Sequence, residues 1–181
     1  MHAPEKMPFS RFQLEKIHGN NGWGLQVFDV SSTTTPQATG YWNTPGPTFG
    51  VAASGTWAYV ASGDLGLQDV DAAGASSMSL MNAASNPAIG DMVIREDFAY
   101  TVSSSFRVMD IQDPAAPAIV GSTAITGGNC VALSGQWAFV ADGSAGLTVV
   151  NITNSSSPQK IASIRLTGTL QAVAVLGDYA Y

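Results

Sequence analysis

Three acids recur at a nearly constant interval. Asp29, Asp71 and Asp110 are 42 and 39 residues apart, and Asn151 follows 41 residues later. Acids held at one phase of a repeat could ring a Ca²⁺ ion or a cationic ligand. They could equally close turns, because Asp or Asn at a strand end accepts hydrogen bonds from the backbone that follows. Asn151 keeps the hydrogen-bonding shape and drops the charge, so the series favours the turn. Asp142-Gly143-Ser144 and Ser62-Gly63-Asp64 are candidate calcium loops. Both lack the dense Asp/Asn spacing and closing Glu of an EF-hand and read as plain turns. Gly127-Gly128-Asn129 is glycine-rich, but no phosphate-binding lysine or GxGxxG pattern accompanies it.

Nucleophilic and metal chemistry find little to work with. The two histidines, His2 and His18, lie near the start, so a Ser-His-Asp triad would have to borrow one of them. The single cysteine, Cys130, permits no intramolecular disulfide and no zinc spacing. It reads as a small apolar residue entering a strand, with a reactive thiol as the rival reading. The expectation is no catalytic, cofactor or metal residue, and no enzyme activity in this chain.

The elements that would carry these residues are repeats. Ala-aromatic pairs recur at Ala58-Tyr59, Ala99-Tyr100, Ala138-Phe139 and Ala180-Tyr181. Gly-Leu pairs recur at Gly24-Leu25, Gly66-Leu67 and Gly146-Leu147, with Phe106 in the matching slot of the odd copy. Self-similarity at about 41 residues marks a solenoid, propeller or array. The clearest unit reads as four strands: Val131 to Ser134, Trp137 to Ala141, Leu147 to Ile152 and Lys160 to Leu166. Gly135-Gln136, Asp142 to Gly146 and Asn154 to Pro158 are the turns between them. The first two strands are nearly continuous in apolar character. The last alternates Ile161, Ser163, Arg165 with Ala162, Ile164, Leu166, as a half-exposed edge strand would. Four strands leave no room for the helix of a leucine-rich or ankyrin repeat. The fold class is therefore all-β: a β-propeller of four-stranded antiparallel blades, about 41 residues each. The recurring aromatics Tyr59, Tyr100, Phe139 and Tyr181 read as packing between blades, with a carbohydrate-lining stripe as the alternative.

Residues 1–21 read as a leader, a linker or the remnant of a preceding blade, with Ser10 to Ile17 forming a short amphipathic turn or strand. Residues 22–181 are the repeats. They open in the third strand of one unit and stop in the second strand of another. The ends could pair to close a four-bladed ring, or the chain could be a fragment of a larger propeller. The fragment is the expectation, because buried strand backbone needs partners.

Composition narrows the partners. Only 11% of residues are charged, against about 25% in typical domains, and the net charge is −6. Seven scattered Lys and Arg make no phosphate-neutralising patch, which argues against nucleic acid and against anionic membranes. No apolar run of about 18 residues offers a spanning helix, and the first 20 residues do not form a signal peptide as written. Asn151-Ile152-Thr153 and Asn154-Ser155-Ser156 match the glycosylation sequon, which matters only in a eukaryotic secretory pathway.

Gly24-Leu25-Gln26-Val27-Phe28-Asp29-Val30-Ser31, Phe106 to Ile111 with Asp113-Pro114, and Val131 to Asp142 resemble the LVIVD repeat, a propeller repeat of bacterial and archaeal proteins, many of them exported or on the cell surface. The resemblance covers residues 22–181. Two units depart from it. The second carries Asp69 where an apolar residue is expected, and the loop Ala72 to Met78 lacks the proline. The third has Arg95-Glu96-Asp97 at its first turn and a short Ser103-Ser104-Ser105. The resemblance implies no shared catalytic residue. It implies a binding or scaffold role at the cell exterior. Propellers present loops on two flat faces, so a protein or carbohydrate ligand is expected at the loops Ala61 to Gly66, Ser103 to Ser105 and Ala141 to Gly146. The rival readings are a propeller domain of a larger lyase or hydrolase with acids in its central channel, and an intracellular protein-interaction propeller.

Overall fold

A computed structural model of the chain describes residues 10–16, 23–32, 34–74, 78–84 and 88–181. Regular structure among them is entirely β. The first sheet holds β1 (Ser10–Lys16), β2 (Trp23–Asp29) and β3 (Gln37–Thr44). The second holds β4 (Gly50–Ser54), β5 (Trp57–Ala61), β6 (Leu67–Asp71) and β7 (Ser79–Ala84). The third holds β8 (Asp91–Arg95), β9 (Phe98–Val102), β10 (Ser105–Asp110) and β11 (Ala118–Ala124). The fourth holds β12 (Cys130–Ser134), β13 (Trp137–Ala141), β14 (Leu147–Asn151) and β15 (Gln159–Ile164). A final hairpin pairs β16 (Val175–Leu176) with β17 (Tyr179–Ala180). Every pairing is antiparallel and sequential. Ser10–Lys16, inside the segment left open between leader and blade, is thus a strand of the first sheet; Ile17 lies outside the described residues.

The sheets stand side by side as blades, with their first strands innermost. β4 approaches β8, β8 approaches β12, and β12 approaches β16. Apolar side chains fill the gaps. Leu25 packs with Ala58, Val60 and Val70 between the first and second blades. Tyr59, Leu67, Met92, Ala99 and Met109 fill the second seam. Tyr100, Phe106, Val108, Val131, Val140 and Val150 fill the third. The near-continuous apolar second strands follow from this, since a middle strand is covered on both faces.

The outer pair of each blade carries the same irregularity. A register shift falls after Val27, Asp69, Val108 and Val149, at the same phase of all four units. Such a bulge bends the strand and resets its alternation. That corrects one expectation. β15 is not half-buried by alternation: all six of its residues are exposed, Ile161 at 52% and Ile164 at 56%.

Three backbone latches tie the loop end of the blades together. Ile89 N donates to Gly63 O (3.1 Å), Gly128 N to Ser103 O (2.6 Å) and Leu170 N to Gly143 O (3.0 Å). Each joins the turn between a blade's second and third strands to the segment entering the next blade.

Candidate functional site

The recurring polar residues close turns. Asp29 accepts a hydrogen bond from Ser31 N (2.8 Å), Asp71 from Ala73 N (2.9 Å), Asp110 from Gln112 N (2.9 Å) and Asn151 from Thr153 N (2.9 Å). Four copies of one Asx turn, one of them uncharged, form a structural series. The bond from Ser31 holds the Asp29 carboxyl below its ordinary value. Asp142 is also committed. Its carboxylate is fully buried and accepts from Thr126 N and Gly127 N (both 2.7 Å) and from the Thr148 hydroxyl (2.8 Å), with Lys160 Nζ at 3.8 Å. It clamps the connection between the third and fourth blades, and Gly127 serves there as a backbone donor. Among the described residues, no three His, Cys, Asp or Glu side chains gather as a metal ion would require. His2 and His18 lie outside the described residues.

Tyr59 and Tyr100 are buried between blades at 2% and 3% exposure, whereas Tyr181 is 73% exposed. Burial pushes the Tyr59 hydroxyl up to about 12, with the Asp69 charge adding to the effect. Cys130 is half-buried on the innermost strand of its blade. Its thiol faces the Val173 carbonyl at 3.7 Å, and burial raises its pKa. A raised pKa opposes thiolate formation, so the apolar reading suits it. Next to it, Asp91 reaches across to Val131 N (3.0 Å); burial lifts its carboxyl and these hydrogen bonds oppose the lift.

Two of the three expected loops meet at one place. A cleft of about 190 Å³ opens on the latch end between the second and third blades. Phe49, Gly63, Asp64, Ile89, Gly90 and Ser103 line it, with Ala88 in one wall. Ala61 to Gly66 contributes Gly63 and Asp64, and Ser103 to Ser105 contributes Ser103. Ala141 to Gly146 does not line this cleft; its latch is with Leu170, one blade further on. The floor is Ile89, buried in the same apolar cluster as Tyr59 and Leu67. The mouth is Phe49, 58% exposed, with Leu65 at 41% on the turn beside it.

Beneath the cleft the seam holds charge that ordinary packing would not place there. Asp69 is fully buried, and among the described residues neither carboxylate oxygen has a hydrogen-bond partner. Val27, Val108 and Val149 occupy its slot in the other blades. Desolvation pushes its carboxyl up to about 7. Thr101, on the facing sheet, buries an unpartnered hydroxyl. Arg107, the cross-strand neighbour of Thr101, donates to Ala88 O, at 3.4 Å, as its one side-chain hydrogen bond among the described residues, and burial lowers its pKa.

A repeat this regular can be compared with known ones. The LVIVD repeat matches at residues 45–85, 89–124, 128–165 and 167–181. The chain belongs to the LVIVD repeat family. Those four spans coincide with the second, third and fourth blades and the closing hairpin. Among solved structures, the chain is similar to the computationally designed Ika8 protein, with TM-score 0.65 and 11% identity over 92% of this chain and 53% of that one. It is also similar to the computationally designed Ika4 protein, with TM-score 0.57 and 11% identity over 76% of this chain and 84% of that one. The chain therefore spans about half the length of the Ika8 design. At this identity the likeness speaks for the fold alone. A search of curated proteins gives no match.

Proposed function

We propose that this LVIVD-repeat chain is a non-catalytic binding or scaffold module of an exported or surface-attached protein, and that the cleft between its second and third blades grips a protein or carbohydrate ligand. The observation that carries this reading is Phe49. An aromatic ring 58% exposed, lining the cleft with the buried Ile89, leaves apolar surface in water that a ligand would cover. Size supports recognition over catalysis. Small-molecule pockets usually run from about 300 to 1,000 Å³. A cleft of about 190 Å³ suits one side chain or one sugar ring of a larger partner. Asp64 and Ser103 add polar side chains to the lining. A lyase or hydrolase working in the channel would need a second acid beside Asp91; on the adjacent innermost strands Gly50 and Cys130 approach it.

The test is a titration of isotope-labelled chain with arrays of peptides and oligosaccharides. The expected result is amide shifts concentrated at Phe49, Gly63, Ile89, Gly90 and Ser103, and at least a tenfold weaker interaction after Phe49→Ser (about 1.4 kcal/mol). Shifts confined to the opposite end, near Asp71 and Asp110, or equal binding by the variant, would overturn it. Export is tested separately, by antibody labelling of intact cells of the source organism against lysed ones.

A further inference from the structure

The seam below the cleft contains two groups that each lack what the other supplies. Asp69 lies on the face of the second blade that carries Tyr59 and Leu67. Arg107 lies on the face of the third blade that carries Met109 and Thr101. These faces pack together, since Tyr59 and Leu67 share a cluster with Met109, two residues along the strand from Arg107. Stacked sheets stand about 10 Å apart, and with Arg107 on Ala88 desolvation is the cause that shifts each group, so pairing requires the guanidinium to swing across the seam. Asp69 is completely buried without a donor among the described residues, while the Arg107 guanidinium reaches the other way, to a carbonyl in the cleft wall. A buried carboxylate and a half-buried guanidinium without charged partners are both costly.

We infer that Arg107 and Asp69 form a two-position switch, in which the guanidinium moves between the Ala88 carbonyl in the cleft wall and the Asp69 carboxylate in the seam, so that ionisation of Asp69 frees the wall. The inference rests on the reading of the cleft as the binding site, and it assigns that site a control by pH. With the proton on, Asp69 is neutral, asks for no counter-ion, and Arg107 holds Ala88. With the proton off, the carboxylate draws the guanidinium inward and Ala88 loses its donor. Asp69 would titrate near 7 in the arrangement seen, and pairing with Arg107 pulls the midpoint below that value.

The other charged and titratable groups facing Asp69 do not supply this. On its own sheet they are Tyr59, whose hydroxyl lies 3.5 Å from Ile111 O, and Asp71, engaged in its turn. β7 brings no titratable residue in Ser79–Ala84. From the facing sheet, Asp97 lies in the turn before β9, where its charge acts on Tyr59. Arg107 is the one cation that the described residues of these elements bring to this face.

The test follows the ligand-free protein by NMR from pH 5 to 8.5, reading the Asp69 side-chain carbon and the amides of Ala88, Ile89 and Gly90. The expected result is one shared midpoint. Asp69→Asn removes the titration of those amides. Arg107→Gln, which places there the residue that Gln26 and Gln68 provide in the first two blades, raises the Asp69 midpoint by about one unit or more and leaves the amides flat. Amides that titrate unchanged in Asp69→Asn, or an Asp69 midpoint unmoved by Arg107→Gln, overturn the switch. No ligand is added, so a cleft that binds nothing leaves this result standing, and a failed switch leaves the binding reading standing.

Discussion

Single side chains in this protein carry costs that the repeat pattern exposes by comparison. Asp69 is the plainest. Its carboxyl has an unfolded pKa near 3.9 and a folded one of about 7, so between those values the folded state holds a proton that the unfolded state has released. Its contribution is therefore most favourable below about pH 4, declines through that window, and is lost above about 7. Asp69→Val, the residue of three sister blades, is expected to raise unfolding free energy at pH 8 by at most about 4 kcal/mol, reduced by pairing of Asp69 with Arg107, and by much less at pH 4.5. Urea unfolding at the two pH values checks this. Glu96 is the second case. It holds φ at +55° where Gly55, Gly135 and Gly177 hold 59°, 52° and 58° at the same turn. A side chain in the left-handed region costs about 1 kcal/mol. Glu96→Gly is expected to stabilise by about that much, read as a higher melting temperature.

Elements are joined by polar clamps as much as by apolar contact. Asp142 fixes the entry to the fourth blade through two backbone amides and a threonine hydroxyl. Asp142→Ala would take the acceptor from the two part-buried amides of Thr126 and Gly127, while the Thr148 hydroxyl keeps Ser163, a loss expected at about 1–3 kcal/mol. Hydrogen exchange of the Thr126 and Gly127 amides should accelerate well before that of β13. The second blade replaces this acid with Ser62, buried and without a partner. There the entering segment carries Pro47, which has no amide hydrogen to offer. Legibility follows the same line. Strand number, the turns and the closing role of Asp29, Asp71, Asp110 and Asn151 were readable, because they depend on local spacing. Asp69 was visible only as a break in the pattern. Asp91, Arg107 and Thr101 gave no signal, since each looks ordinary within its own strand and matters only against the neighbouring blade.

At the scale of the molecule, the innermost strands β4, β8, β12 and β16 follow one another side by side, the backbone latches gather at one end, and a seam between blades opens there into the cleft. Stability and the proposed binding cleft draw on the same seam: Ile89 lines the cleft and packs with Tyr59 and Leu67. The measurement that tests the arrangement most directly is a set of nuclear Overhauser contacts between blades. Side-by-side packing predicts contacts from the Tyr59 ring to the Met92 and Met109 methyls, and from the Tyr100 ring to the methyls of Val131 and Val140. Rings that meet only their own sheets would contradict it.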